Sequence, residues 1–356
     1  MLDNNDPHAG ILAIDTHVDI PWPAGASPFL DGPRCVDLPK LKKGGIAAVC
    51  FAAYVPQAAR DEAGHQAACL RARRMLEAIA AMAPADGSGG ILAPTADRIE
   101  AAYAAGRPAI IPAVENGYAI GRDIGLLDEF AERGARYITL THNGHNDIAD
   151  AAIPRKDLGD SETEHGGLSE FGKAVIGRMN ALGILVDISH CSKQSMMQAI
   201  GLSRVPVVAT HSCIRAICDH PRNLDDEQLE ALRDTGGLVQ ITLVANFLRP
   251  RARAQDVSTA DVADHIDYAV RRLGIDHVGI GTDFDGGGGV SDFGNAAQAQ
   301  RLTQELAGRG YGSAELRKIW GGNFLRLLRQ AEAHKAGEDC LRREQAGLGS
   351  GQLASP

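Results

Sequence analysis

The sequence predicts an α/β fold, a (β/α)8 TIM barrel with its chemistry at the C-terminal mouth, on three observations. Eight short apolar runs punctuate the chain. Nearly all are separated by stretches whose apolar residues recur at helical spacing. No Gly-x-Gly-x-x-Gly turn follows the first run, so the rival doubly wound open sheet lacks its usual support. Runs continuous in Val, Ile and Leu belong to strands buried on both faces, as in a parallel sheet sheathed by helices. The length of 356 residues accommodates such a barrel as one domain.

The first run, Ile11-Leu12-Ala13-Ile14, delivers His17 and Asp19, and Pro21 stops it. A Pro/Gly-rich loop, residues 22–38, follows as a lid or pocket wall. Residues 44–51 read as the second strand, residues 60–83 and 95–105 as helices, and residues 109–114 as the third strand, ending on Glu115-Asn116-Gly117. After a helix over residues 125–133, the fourth strand, residues 135–140, ends on Thr141-His142. Residues 143–167 are polar and Gly/Asp-rich, a second long loop. Ser169 caps a helix that Gly183 stops. The fifth strand, residues 184–188, ends on Ser189-His190; a helix over residues 192–201 follows. The sixth strand, residues 205–209, ends on Thr210-His211. A loop with His220, Pro221 and Arg222 leads to a helix over residues 225–234 and a seventh strand over residues 237–243. A helix over residues 259–273 precedes the eighth strand, residues 277–281, which ends on Thr282-Asp283-Phe284-Asp285-Gly286. Two helices, residues 295–307 and 314–330, complete a domain spanning residues 1–334, and residues 335–356 read as a flexible tail.

Apolar residues make up 44% and charged residues 23%, an ordinary globular composition with a large core. A net charge of −9 without a Lys/Arg cluster argues against nucleic acid or an anionic membrane as partner. Seven cysteines without a Cys-x-x-Cys pair fit a reducing compartment and inert buried thiols. The polar, acidic N-terminus is no signal peptide, and no apolar stretch reaches a membrane span. A cytoplasmic enzyme is the expectation.

A lone His-x-Asp is a weak signal, because a polar strand end reads the same way. Here the pattern recurs: six of the eight predicted strands end in metal- or proton-handling side chains. These are His17 and Asp19, Glu115, His142, His190, His211 and Asp283, and they use four of the twelve histidines in the chain. Active sites of such barrels sit at the mouth where strand ends converge. Imidazoles with carboxylates suit zinc, with manganese, cobalt or iron as the other candidates. Glu115 can offer one oxygen to each of two cations, which sharing a water make hydroxide available near neutral pH. An unligated carboxylate then collects the proton and passes it to a leaving amine. Asp283 is the natural candidate for that task, and Asp285 the competitor.

Taken as a set, these motifs resemble the membrane (renal) dipeptidase family, a zinc-dependent branch of the amidohydrolase barrels. The residues that carry the resemblance are Ile14–Asp19, Glu115–Gly117, Leu140–His142, Val186–Ser192, Ala209–Ser212, His220–Asn223, Gly281–Gly286 and a closing Gly321–Arg326. It implies hydrolysis of a dipeptide at two Zn2+ ions. His17 and Asp19 would hold one ion, His190 and His211 would complete the second, and Glu115 would bridge. His142 would stabilise the oxyanion, and Arg222 would take the substrate's terminal carboxylate. Asp283 would serve as general acid/base and also hold the free amine. The implied partner is a small dipeptide, L-Xaa-D-Xaa included because bacterial relatives often accept a D-residue, and the chain resembles the bacterial soluble branch. A homodimer stays open, since relatives are commonly dimers. The competing chemistry on the same ions is that of a deacetylase or lactonase. Asn246-Phe247-Leu248 departs from the residues common in relatives and leaves one wall of the side-chain pocket unassigned.

Overall fold

The computed structural model describes residues 6–23 and 25–350, with side chains to residue 339. Its strands are β1 (Ala13–Asp19), β2 (Ile46–Tyr54), β3 (Ile91–Leu92), β4 (Ala109–Glu115), β5 (Tyr137–Thr139), β6 (Leu185–Asp187), β7 (Val208–Ser212), β8 (Leu238–Ile241) and β9 (Val278–Ile280). All pair in parallel, in the order β1-β2-β4-β5-β6-β7-β8-β9, with β3 attached to the start of β4. The ring closes where the chain beyond β9 meets β1. Asp19 N–H donates to the Phe284 carbonyl at 2.9 Å, and Asp283 N–H donates to the His17 carbonyl at 2.9 Å. The fold is the expected eight-stranded barrel, with β3 as a short addition.

Burial explains the sequence pattern. Every residue of β4 is buried, and β1 is buried up to Asp19 at its tip. Helices cover the outside, and their ends follow cap chemistry. The Ser169 hydroxyl accepts from Gly172 N–H at 2.9 Å to start Glu170–Leu182. Asp225 and Gln228 form a reciprocal capping box at the start of Asp226–Asp234.

β1 runs through His17 and Asp19, short of the Pro21 stop, as expected. Several other boundaries differ from the sequence reading. β7 begins at Val208, three residues late, because Pro206 has no N–H to give a ladder. A helix over Leu38–Gly44, capped by Asp37 accepting from Lys40 N–H at 2.9 Å, follows the first loop and was unassigned. The helix expected over residues 314–330 is instead Ser313–Arg317, a π-turn Lys318–Gly322 and a helix Asn323–Ser350. At the π-turn the chain packs on β1, and a Cβ on Gly321 would sit 2.5 Å from the Leu12 carbonyl oxygen. The last helix continues into the stretch read as a tail; residues 351–356 lie outside those described.

The polar loop over residues 143–167 is fastened by Asp150, which is 1% exposed. Its carboxylate accepts from the Thr163 hydroxyl at 2.8 Å and from the N–H groups of Glu164, His165 and Gly167 at 3.0 Å each. Burial opposes the charge, but these donors outweigh it and hold the carboxyl below its ordinary 3.8. The folded-state value is the depressed one, so this stabilisation is present above the unfolded value and lost as pH falls through the folded one. Asp150→Asn is therefore expected to cost about 2 kcal/mol at pH 7. The gap in denaturant midpoint between variant and wild type should narrow below about pH 4; a pH-independent gap would contradict this assignment.

Candidate metal centre

The strand ends bring the expected side chains to one place. His17 Nε2 lies 3.8 Å from Asp19 Oδ1, 3.7 Å from Glu115 Oε2 and 3.9 Å from Asp283 Oδ1. On the other side of Glu115, Oε1 lies 3.2 Å from His190 Nε2, 3.4 Å from His211 Nε2 and 3.9 Å from His142 Nε2. Glu115, at the tip of β4, thus turns one oxygen to the imidazole of β1 and the other to imidazoles after β5 and β6 and on β7. Period-two geometry puts His17 and Asp19 on one side of β1. His190 and Asp283 both adopt left-handed backbone, φ 65° and 61°, just past their strands. Such strain is held in place by its surroundings and clusters at functional sites.

Charge is concentrated here. Burial opposes ionisation of His17, but Glu115, Asp283 and Asp19 push it up to about 10. Burial likewise opposes the Glu115 charge, and His17, with His190 and His211, holds that carboxyl well below its usual range. Burial raises Asp19 well above the ordinary value, and Glu115 and Asp283 add to it. Burial, partly offset by His17, pushes Asp283 up to about 7. It lowers His142 to about 4, and with His17 lowers His211 to about 3. Three carboxylates around one buried imidazole are mutually repulsive until a cation joins them.

The donor set fits such cations. Among the described residues His17 Nε2 and Asp19 Oδ1 are buried without a hydrogen-bond partner. His190 Nε2 and His211 Nε2 face each other at 3.0 Å, both turned to Glu115. Three groups have ligand atoms close enough to share an ion: His17, Glu115 and His211; Glu115, His142 and His190; His17, Asp19 and Asp283.

The cluster floors a cavity of about 310 Å³ whose walls include Tyr54, Asn143, Arg222 and Phe247. Arg222 is 3% exposed; its guanidinium lies 5.4 Å over the Phe247 ring, one nitrogen is 3.4 Å from the His211 carbonyl, and Nε has no partner. Phe247 also packs against the His220 ring, tilted by 36° at 4.4 Å between centroids, so the unassigned wall is a clamp on the arginine. Asp283 lines this cavity and Asp285 does not. Asp285 instead accepts from Cys35 N–H at 2.8 Å and Val36 N–H at 3.2 Å, tying down the first loop. Gly286 completes the floor: a Cβ there would meet Asp283 Oδ1 and lie 2.7 Å from Asp19 Oδ2.

Sequence reasoning missed the residues behind the candidate ligands. Tyr137, Asn143, Asp187 and Thr210 contact the ring nitrogens turned away from the cluster, or the groups that do. A faint signal existed: Thr16, Thr141, Thr210 and Thr282 each directly precede a site residue.

A closed parallel barrel with imidazoles and carboxylates gathered at its C-terminal mouth defines a metal-dependent hydrolase. The chain belongs to the membrane dipeptidase family, peptidase family M19, which it matches over residues 6–340. Members are metallo-dipeptidases, hydrolases acting on peptide bonds. The chain is 34% identical over 304 residues to "Dipeptidase aclJ" of Aspergillus oryzae, covering 83% of this chain and 70% of that one. The probable dipeptidase PvdM of Pseudomonas aeruginosa superposes with a TM-score of 0.87 at 28% identity, over 92% of this chain and 97% of that one. A metallo peptidase of Rhodobacter sphaeroides, solved with a phosphinate mimic of L-Ala-D-Ala, superposes with a TM-score of 0.76 at 30% identity, over 85% and 91% of the two chains. No helix among the described residues is long and apolar enough to cross a membrane.

Proposed function

We propose that this chain hydrolyses free dipeptides, L-Xaa-D-Xaa among them, with two Zn2+ ions held by His17, Asp19, Glu115, His190 and His211. The observation that carries the reading is the pairing of a buried cation, Arg222, with a carboxylate, Asp283, on the walls of one small cavity. Bound ions polarise the scissile carbonyl and lower the pKa of water. Arg222 offers a planar fork to the substrate's terminal carboxylate, held by the Phe247 ring. Asp283 binds the free amine, takes the proton of the attacking water and returns it to the leaving nitrogen. His142 donates a hydrogen bond to the oxygen that gains charge in the tetrahedral state. With a charge fixed for each terminus, a longer peptide leaves one charge unpaired and is rejected. The L,D preference is supported by the phosphinate mimic bound to the Rhodobacter sphaeroides relative.

The test is a panel of free, N-acetylated and C-amidated L,L- and L,D-dipeptides. Blocking either end should lower kcat/KM by about 100-fold or more, the scale of one lost charged contact. Equal cleavage of N-acetylated substrates would instead support a deacetylase. Arg222→Lys should raise KM for free dipeptides by about tenfold while leaving C-amides, which carry no carboxylate, nearly unchanged. Equal losses on both substrates would remove Arg222 from carboxylate recognition.

A further inference from the structure

The ring nitrogens of His17 and His211 that face away from the cluster have acceptors, and the hydroxyl protons of those acceptors are committed elsewhere. Asp187, at the tip of β6, is fully buried. Its Oδ1 accepts from the N–H groups of Ser189 and Thr210, both at 3.0 Å. Its Oδ2 accepts from the Thr139 hydroxyl at 2.6 Å and the Thr210 hydroxyl at 2.7 Å. The single hydroxyl proton of Thr210 is therefore committed to Asp187. Only lone pairs remain on that oxygen, which lies 3.0 Å from His211 Nδ1 and 3.3 Å from His17 Nδ1. Tyr137 repeats the logic. Its hydroxyl donates to the Thr16 carbonyl at 3.0 Å and so meets His17 Nδ1, 2.9 Å away, as an acceptor.

We infer that Asp187 and Thr210, with Tyr137, are positioning residues that fix the proton of His17 and of His211 on Nδ1. Nε2 is thereby the nitrogen each ring turns to the cluster, and on His17 it is the one whose proton an arriving cation displaces. Because one threonine oxygen abuts both imidazoles, it couples the two cation positions, which the proposed function assigns to different ions. This inference rests on that assignment. Neutral acceptors behind ligand imidazoles typically govern tautomer and metal affinity. Here the order of donation, imidazole to hydroxyl to carboxylate, sets the direction of every proton in the chain.

The experiment titrates metal-free protein with Zn2+ against a chelating indicator. Wild type is expected to take up two ions. Thr210→Val keeps the shape but loses the hydroxyl, and should weaken both ions by about 10–100-fold. Thr210→Ser should restore tight binding, and Tyr137→Phe should weaken only the position that contains His17. Unchanged uptake by Thr210→Val, or a serine variant as weak as the valine one, would overturn the inference while the two-ion reading stands. A wild type that binds no Zn2+ would overturn that reading and the inference with it. Should Thr210→Val not fold, the 15N shifts of His211 in the metal-free wild type decide alone: a proton on Nδ1 supports the inference, and one on Nε2 overturns it.

Discussion

Glu115→Gln is expected to abolish most turnover, by about 10³-fold or more, and to reduce bound metal from two ions per chain toward one. The reason is geometric. Among the described residues, Glu115 is the side chain whose two oxygens face both halves of the cluster, with Oε2 3.7 Å from His17 and Oε1 3.2 and 3.4 Å from His190 and His211. A glutamine has the same outline but one acceptor oxygen and no charge. Whichever half it serves, its amide N–H2 points at bare nitrogens on the other. Losing a single electrostatic contact at a reacting centre commonly costs about 10²–10³-fold in kcat, and losing an ion compounds it. Metal content by mass spectrometry and kcat on a free dipeptide, measured on one preparation, check both parts. Two tightly held ions with near wild-type kcat in the variant would remove Glu115 from the bridging position.

How much of this was legible in the sequence follows from which interactions are local. The barrel was readable because burial on both faces imposes continuous apolar runs, and Ala109-Ile110-Ile111-Pro112-Ala113-Val114 declares itself without a partner strand. The candidate ligands were readable because strand ends of a barrel share one rim, so their residue types alone nominate them. Boundaries were less so. The tip of β1 is held on both sides, by β2 at Val18 and Asp19 and by the chain beyond β9, the latter a contact across more than 260 residues that no local pattern reveals. Asp285 stayed a competitor of Asp283 for the same reason. Both have φ of 61°, and only the backbone of Cys35 and Val36, brought alongside by the first loop, claims Asp285. Tyr137 was read as a core residue of a strand, which it is by burial. Its hydroxyl matters only because Thr16 and His17 arrive 2.9–3.0 Å away from another strand.

That pair of aspartates gives the sharper test of the chemistry. Asp283→Asn should lower kcat by about 10²–10⁴-fold, the range for losing a general acid/base, with both ions retained and the fold intact. Asparagine is the conservative choice for two reasons: it matches the carboxylate in shape, and it tolerates the left-handed backbone that Asp283 occupies. An alanine there would mix loss of the carboxylate with backbone strain. Asp285→Asn forms the control, because it alters the same segment two residues on. That carboxylate accepts two backbone N–H groups of the first loop and lines no part of the cavity. The expected result is a loss of about 1–2 kcal/mol in stability with kcat within a few-fold of wild type. The two variants thus separate along different axes, one in turnover and the other in melting. The inverse pattern, Asp285→Asn inactive and Asp283→Asn active, would move the proton-transfer role two residues along the chain. Equal kinetic damage from both would mean that the segment acts through its backbone rather than through either carboxylate.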